Sequence, residues 1–216
     1  MLLPANRMLA SLILLLTCSV TGFAQWQVGI QGGYVKAWEE YRVELPEDAR
    51  IHVEGFRLGA TVYRPIGQSL SVGVEPSYVQ RGAACEPGFI VFNRDTKLFL
   101  DYLELPLLAQ YSQQLFSPRL EAIVGAGYSL GYLLSANRQI FDLGSGSILS
   151  DDDLDIPNSS MRRIDHGFRA AVGLNFHFST FSITARFYAM TDVDRELTSR
   201  NREMSLNLGI STTLSR

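Results

Sequence analysis

Apolar and polar residues alternate with a period of two along most of the chain. Trp26, Val28, Ile30 and Tyr34 alternate with Gln27, Gly29, Gln31 and Gly33, and Phe56, Leu58, Ala60 and Val62 with Arg57, Gly59, Thr61 and Tyr63. The pattern recurs over 69–78, 103–111, 121–132, 167–178, 181–189 and 204–211. A period of two belongs to a strand with one apolar face. Eight such rows predict eight strands, and no charged residue falls in any of the apolar rows. Their connections alternate in length. Segments 38–52, 83–97, 135–164 and 191–202 are long, whereas 64–67, 112–117 and 179–180 are tight turns.

Alternation alone does not say which face meets solvent. A soluble sandwich turns its apolar rows inward and a membrane barrel turns them toward lipid. Three features favour the barrel. Long loops at one end and short turns at the other are the outer-membrane pattern. Aromatic residues gather near strand ends, at Trp26, Tyr34, Tyr63, Tyr78, Tyr111, Tyr132, Phe178 and Phe181, where an interfacial girdle would lie. The polar rows are mostly Gly, Ser, Thr and Asn, unlike the Lys- and Glu-rich wet face of a soluble sheet. The fold expected is therefore all-β, an eight-stranded antiparallel up-and-down transmembrane β-barrel; a periplasmic sandwich is the alternative. Pro76 and Pro106 interrupt two strands and predict a bulge at each, because proline cannot donate to a ladder.

Composition narrows the setting. The 216 residues carry 19 Lys plus Arg against 22 Asp plus Glu, a net charge of −3, which gives no electrostatic case for nucleic acid. Residues 1–24 combine Arg7, a short apolar core and small residues ending at Ala24, the template of a cleaved secretory signal peptide, leaving 25–216 as the barrel domain. Beyond that leader Cys85 is the single cysteine, so no internal disulfide framework is expected.

Candidate chemistry is sparse. Asp151, Asp152, Asp153 and Asp155 lie in the longest loop, but the calcium-loop pattern fails at Ile156 and Arg162. His52, His166 and His177 have no ligand spacing, Asn158-Ser159-Ser160 forms a sequon, and neither a nucleophile elbow nor a phosphate-cradling loop occurs. The inward rows carry Arg57, Arg169 and Arg186 against Glu75, Glu104 and Glu121. An eight-stranded barrel has an interior only wide enough for side chains. These six charges, with Tyr63, Tyr102 and Tyr188, are expected to form a paired, structural filling. No catalytic, cofactor or metal site is expected.

Five segments carry a resemblance. Asp101-Tyr102-Leu103-Glu104-Leu105-Pro106-Leu107-Leu108, the run 75–82, the run 125–134, Asp165-His166-Gly167 with Gly173, and Ala185-Arg186-Phe187-Tyr188 with Thr191-Asp192 occur in order. Together they resemble the PorT-like outer-membrane β-barrel family. The resemblance implies a small eight-stranded barrel in the outer membrane of a Gram-negative bacterium. It implies no defined chemistry; some relatives serve protein secretion. The chain ends Thr213-Leu214-Ser215-Arg216 where such barrels commonly end on an aromatic residue.

The expected role is non-enzymatic, a structural or interaction component of the envelope. Its partners would be outer-membrane lipid and lipopolysaccharide, the outer-membrane assembly machinery, and an envelope protein met through loop 135–164. That loop is expected to be too poor in apolar residues to order itself. Two alternatives stay open: an outer-membrane enzyme acting on lipid or lipopolysaccharide through His52, His166 and loop acids, and a narrow porin.

Overall fold

The computed structural model describes residues 25–41, 52–85, 94–142, 145–156, 163–192 and 199–214. Residues 1–24, expected to be a cleaved leader, and the sequon at 158–160 lie outside them. Among these residues ten strands form: β1 Trp26–Tyr41, β2 Val53–Pro65, β3 Leu70–Val74, β4 Ser77–Cys85, β5 Arg94–Gln114, β6 Leu120–Asp142, β7 Ile148–Asp153, β8 Ile164–His177, β9 Ser182–Asp192 and β10 Ser199–Leu214. β3 and β4 act as one stave, both pairing with β2 and β5. β1 pairs with β2 and with β10, and β5 with β6, so eight staves close into an antiparallel barrel with β7 outside the ring.

The apolar rows face outward. Ile30, Leu58, Leu107, Val124, Phe168, Leu208 and their row-mates are exposed, whereas the alternate positions are buried. Lipid takes the place of water against that outer band. Of the strand-end aromatics, Trp26, Tyr34, Tyr111, Tyr132, Phe178 and Phe181 are exposed, and Tyr78 is half-buried beside Phe56. Tyr63 is the exception. It sits in the polar phase of β2 and points inward, 2% exposed, so it belongs to the filling rather than the girdle.

Cross-strand pairing winds around the barrel as a helix. The inward row Tyr63, Gly73, Leu108, Gly127, Arg169, Met190, Glu203, Ala37 returns to β2 at Val53, ten residues from its start. That stagger tilts the strands and sets the barrel's width. Gly73 makes room on this row, since a Cβ there would collide with the Tyr63 ring.

Neither proline produces a bulge. The pairing sums stay constant from β3 into β4, so the register passes through Glu75 and Pro76 unchanged, and Pro106 stays paired with Ser129. Each proline gives up only half of a two-bond pair and keeps the other half. Ala60 N–H donates to the Pro76 carbonyl at 2.9 Å, and Glu75 N–H to the Pro106 carbonyl at 3.1 Å. Losing one bond costs about 1 kcal/mol if nothing else moves, less than the disruption of a register shift. The shift in β5–β6 lies elsewhere, between Asp101 and Tyr102. There Leu134 is the extra residue, so β6 turns Leu133 and then Ala136 inward.

The strands at the long-loop end outrun the hydrophobic pattern. In segment 135–164 the described residues 135–142 and 145–156 are more ordered than the composition suggests. β6 runs on to Asp142, and β7 folds back against it. Side chains stitch this hairpin. Asn137 donates to Asp151 at 2.7 Å, Gln139 donates to Asp151 at 3.1 Å, and Arg138 meets Asp152 at 3.3 Å. The Ser150 hydroxyl and Arg138 hold the Asp152 carboxyl below its ordinary value. The turn closes through Gly146 at φ +67°, a left-handed conformation that glycine adopts freely. Beyond β7, Leu154 and Ile156 pack onto Leu98, Leu100, Tyr102, Leu133 and Ala136 and cap the barrel's mouth with apolar side chains.

Candidate functional site

Inside the barrel the strands project a stack of charged and aromatic side chains. In the outer part of the lumen, Glu104 on β5 is the centre. Arg57 on β2 meets it at 2.8 Å, Arg169 on β8 at 2.7 Å, and Arg81 on β4 also pairs with it. Glu203 on β10 binds Arg57 at 2.6 Å and the Arg81 Nε at 2.7 Å, and Asp165 binds Arg81 at 2.8 Å. Three guanidinium groups thus face three carboxylates. Arg57, Glu104, Arg169 and Glu203 are almost wholly buried. Charges removed from water are tolerable only when paired and hydrogen-bonded.

Nearer the short turns a second group forms. Glu75, between β3 and β4, accepts hydrogen bonds from Arg186 at 2.6 Å, from the Tyr63 hydroxyl at 2.7 Å and from the Tyr188 hydroxyl at 3.0 Å. Aromatic faces bridge the layers: Arg169 lies over Tyr188 at 5.6 Å, Arg186 over Tyr63 at 5.1 Å and Arg81 over Tyr102 at 4.9 Å.

The structure brings Arg57, Glu104 and Arg169 into one cluster and pairs Arg186 with Glu75. It does not place Glu121 with an arginine. Glu121 sits at the barrel's base, where His177 Nε2 lies at 3.2 Å and Asn175 donates at 3.1 Å. The carboxylate is partly exposed there, so water screens it. Glu121→Ala should cost no more than about 1 kcal/mol, read by urea unfolding in lipid vesicles. Three members of the cluster, Arg81, Glu203 and Asp165, are absent from the interior charges expected from the sequence. All lie in phase with assigned strands: Arg81 follows Glu75, Ser77 and Val79 at steps of two, Glu203 precedes Ser205 and Asn207, and Asp165 precedes Gly167 and Arg169. Extending each alternation outward finds them.

The geometry ties the strands together across the lumen. The carboxylates of the clusters are held by guanidinium or hydroxyl groups. Among the described residues no group of three or more His, Cys, Asp or Glu could hold a metal ion. The histidines are dispersed. His166 faces outward and shares a 2.7 Å hydrogen bond with the Tyr128 hydroxyl, His52 lies edge-on to Trp38, and His177 is at the base. Within the lumen, one space beside Arg81, Tyr102, Asp165 and Glu203 and another beside Gln31, Tyr63, Arg186 and Asn207 measure about 10 Å³ each. Each is room for a single water at most.

Comparison with known proteins agrees with this architecture. The model of a family described as outer membrane protein beta-barrel domain matches residues 23–193. Neisserial surface protein A superposes with a TM-score of 0.51 at 16% identity, covering 88% of this chain and 99% of that one. The outer membrane protein OprG of Pseudomonas aeruginosa also gives 0.51, at 14% identity over 90% and 99% of the two chains. Identities this low speak to the fold alone. No curated protein matches the chain in sequence.

Proposed function

The chain belongs to the outer membrane protein β-barrel domain family and resides in the cell outer membrane, and from that premise we propose that it is a non-enzymatic, side-chain-filled barrel serving as a structural or interaction component of the envelope. The observation that carries the reading is the cluster of Arg57, Arg81, Arg169, Glu104, Glu203 and Asp165, which crosses the lumen from five strands. A conducting lumen wants an aqueous path and more strands. Here paired charges occupy the middle, and Leu154 and Ile156 pack over the apolar residues at the mouth. The barrel's work then falls to its ends.

The finer reading, by the five resembling segments, is a PorT-like barrel with a role in protein secretion. Its contacts are lipid and lipopolysaccharide along the wall, the assembly machinery during insertion, and an envelope protein at segment 135–164. Purified protein in planar bilayers is expected to show no stable conductance steps, and lipid A composition is expected to be the same with and without the protein. Reproducible channel openings that respond to substitution of Glu75 or Arg186 would replace this reading with the porin. A lipid A change would replace it with the enzyme.

A further inference from the structure

β7 is hydrogen-bonded along one edge only among the described residues. Its neighbour is β6, and the strand order ends with it. The free edge can be assigned by residue. Leu154 N–H donates to the Ala136 carbonyl at 2.8 Å, in register with the β6–β7 ladder. Directly opposed residues in an antiparallel pair alternate between bonded and non-bonded. Asp152 and Ser150 therefore turn their amides toward β6, and Asp151 and Asp153 turn theirs away. Five of the six β7 residues are exposed, and Ser150 is half-buried. An edge of this kind is a template for an incoming strand.

Charge decides what strand it can accept. Residues 135–156 contain Arg138 against Asp142, Asp151, Asp152, Asp153 and Asp155, a formal −4. Asn137 and Gln139 bond the carboxylates of Asp151 and Asp153 but bring no charge to them. A second copy of β7 would set aspartate against aspartate, and like charges directly opposed are destabilising. A strand with Lys or Arg at alternate positions would face Asp151 and Asp153 with the opposite sign. Ile148 and Leu149, both about half exposed, give such a strand apolar contact at one end.

We propose that β7 accepts, by strand addition, an extended cationic segment of an envelope partner, with basic residues opposite Asp151 and Asp153. The proposal rests on segment 135–164 being the contact element of the reading above, and names the chemistry of what it contacts. The test uses the full chain in detergent micelles and an acetylated peptide of alternating Val and Lys. Two control peptides carry Glu for Lys, or a central Pro. Saturable binding of the lysine peptide is expected, with slowed amide exchange at Asp151 and Asp153. The proline peptide should lose that protection, because it cannot complete the ladder. The double variant Asp151→Asn, Asp153→Asn should bind about tenfold more weakly, from two cross-strand charge pairs lost. Equal binding of the proline or glutamate peptide, or unchanged exchange along β7, would overturn the proposal. Those outcomes leave the conductance result untouched, so this failure is distinct from failure of the filled-barrel reading.

Discussion

Glu104→Ala should destabilise the folded barrel by about 3–5 kcal/mol, the scale for breaking a buried ion pair by removing one partner. Glu104 is the shared partner of Arg57, Arg81 and Arg169, and its side chain has no exposed surface. Without it three guanidinium groups are left with Glu203 and Asp165, and the residual positive charge has no water to meet. Equilibrium unfolding in urea from lipid vesicles measures the loss. Glu104→Gln should fall between the wild type and the alanine variant, since an amide keeps an acceptor but not the charge. A loss under about 1 kcal/mol, the range of exposed pairs, would mean that water reaches the cluster and that the lumen is wet. Replacing the whole cluster with apolar residues of like volume is a different experiment, and it can leave stability unchanged.

The second large effect lies on the other face of the same wall. Val124 is 58% exposed, pairs across the strand with Val172, and belongs to the outward row of β6. Arginine placed on the lipid face near the bilayer midplane costs about 2–4 kcal/mol. Val124→Arg is therefore expected to lower the fraction that refolds into vesicles, scored by the mobility shift of folded against heated barrels on gels. Full refolding yield, together with monodisperse protein in detergent-free buffer, would contradict the lipid-facing assignment of this row.

How much of this was legible in the sequence follows from what enforces each feature. Lipid on one side and a narrow lumen on the other impose a strict period of two, so the eight rows and their phase could be read directly. The same constraint exposed Arg57, Glu75, Glu104, Arg169 and Arg186 as inward charges. Beyond the outward apolar band that enforcement ends. There the residues of β6 and β7 are held by backbone ladders and by side-chain bonds such as Asn137 to Asp151, which leave no hydrophobic signature. Arg81, Glu203 and Asp165 lie at this boundary, just outside the alternating rows read from the sequence. Glu121 was legible as inward but not in its partner, because His177 reaches it across a register that the sequence does not state. The prolines show a missing N–H but not its direction. Only the ladder reveals that Pro76 lacks its bond toward β2 and Pro106 its bond toward β3. Leu134, the extra residue in β6, carries no mark of its own.

The closure of β1 onto β10 has a consequence for how the barrel must be made. The first and last strands are neighbours in the ring, so the final seam joins segments at opposite ends of the chain. Contacts of such long sequence separation form late and slowly. Glu203 arrives on that last strand. Until it docks, Arg57, Arg81 and Arg169 face only Glu104 and Asp165, and the half-built wall carries an unbalanced positive charge. Docking of β10 seals the hydrogen-bond ladder and neutralises the lumen in one event. The charge balance of the lumen is thus a property of the closed ring and of no smaller part of it.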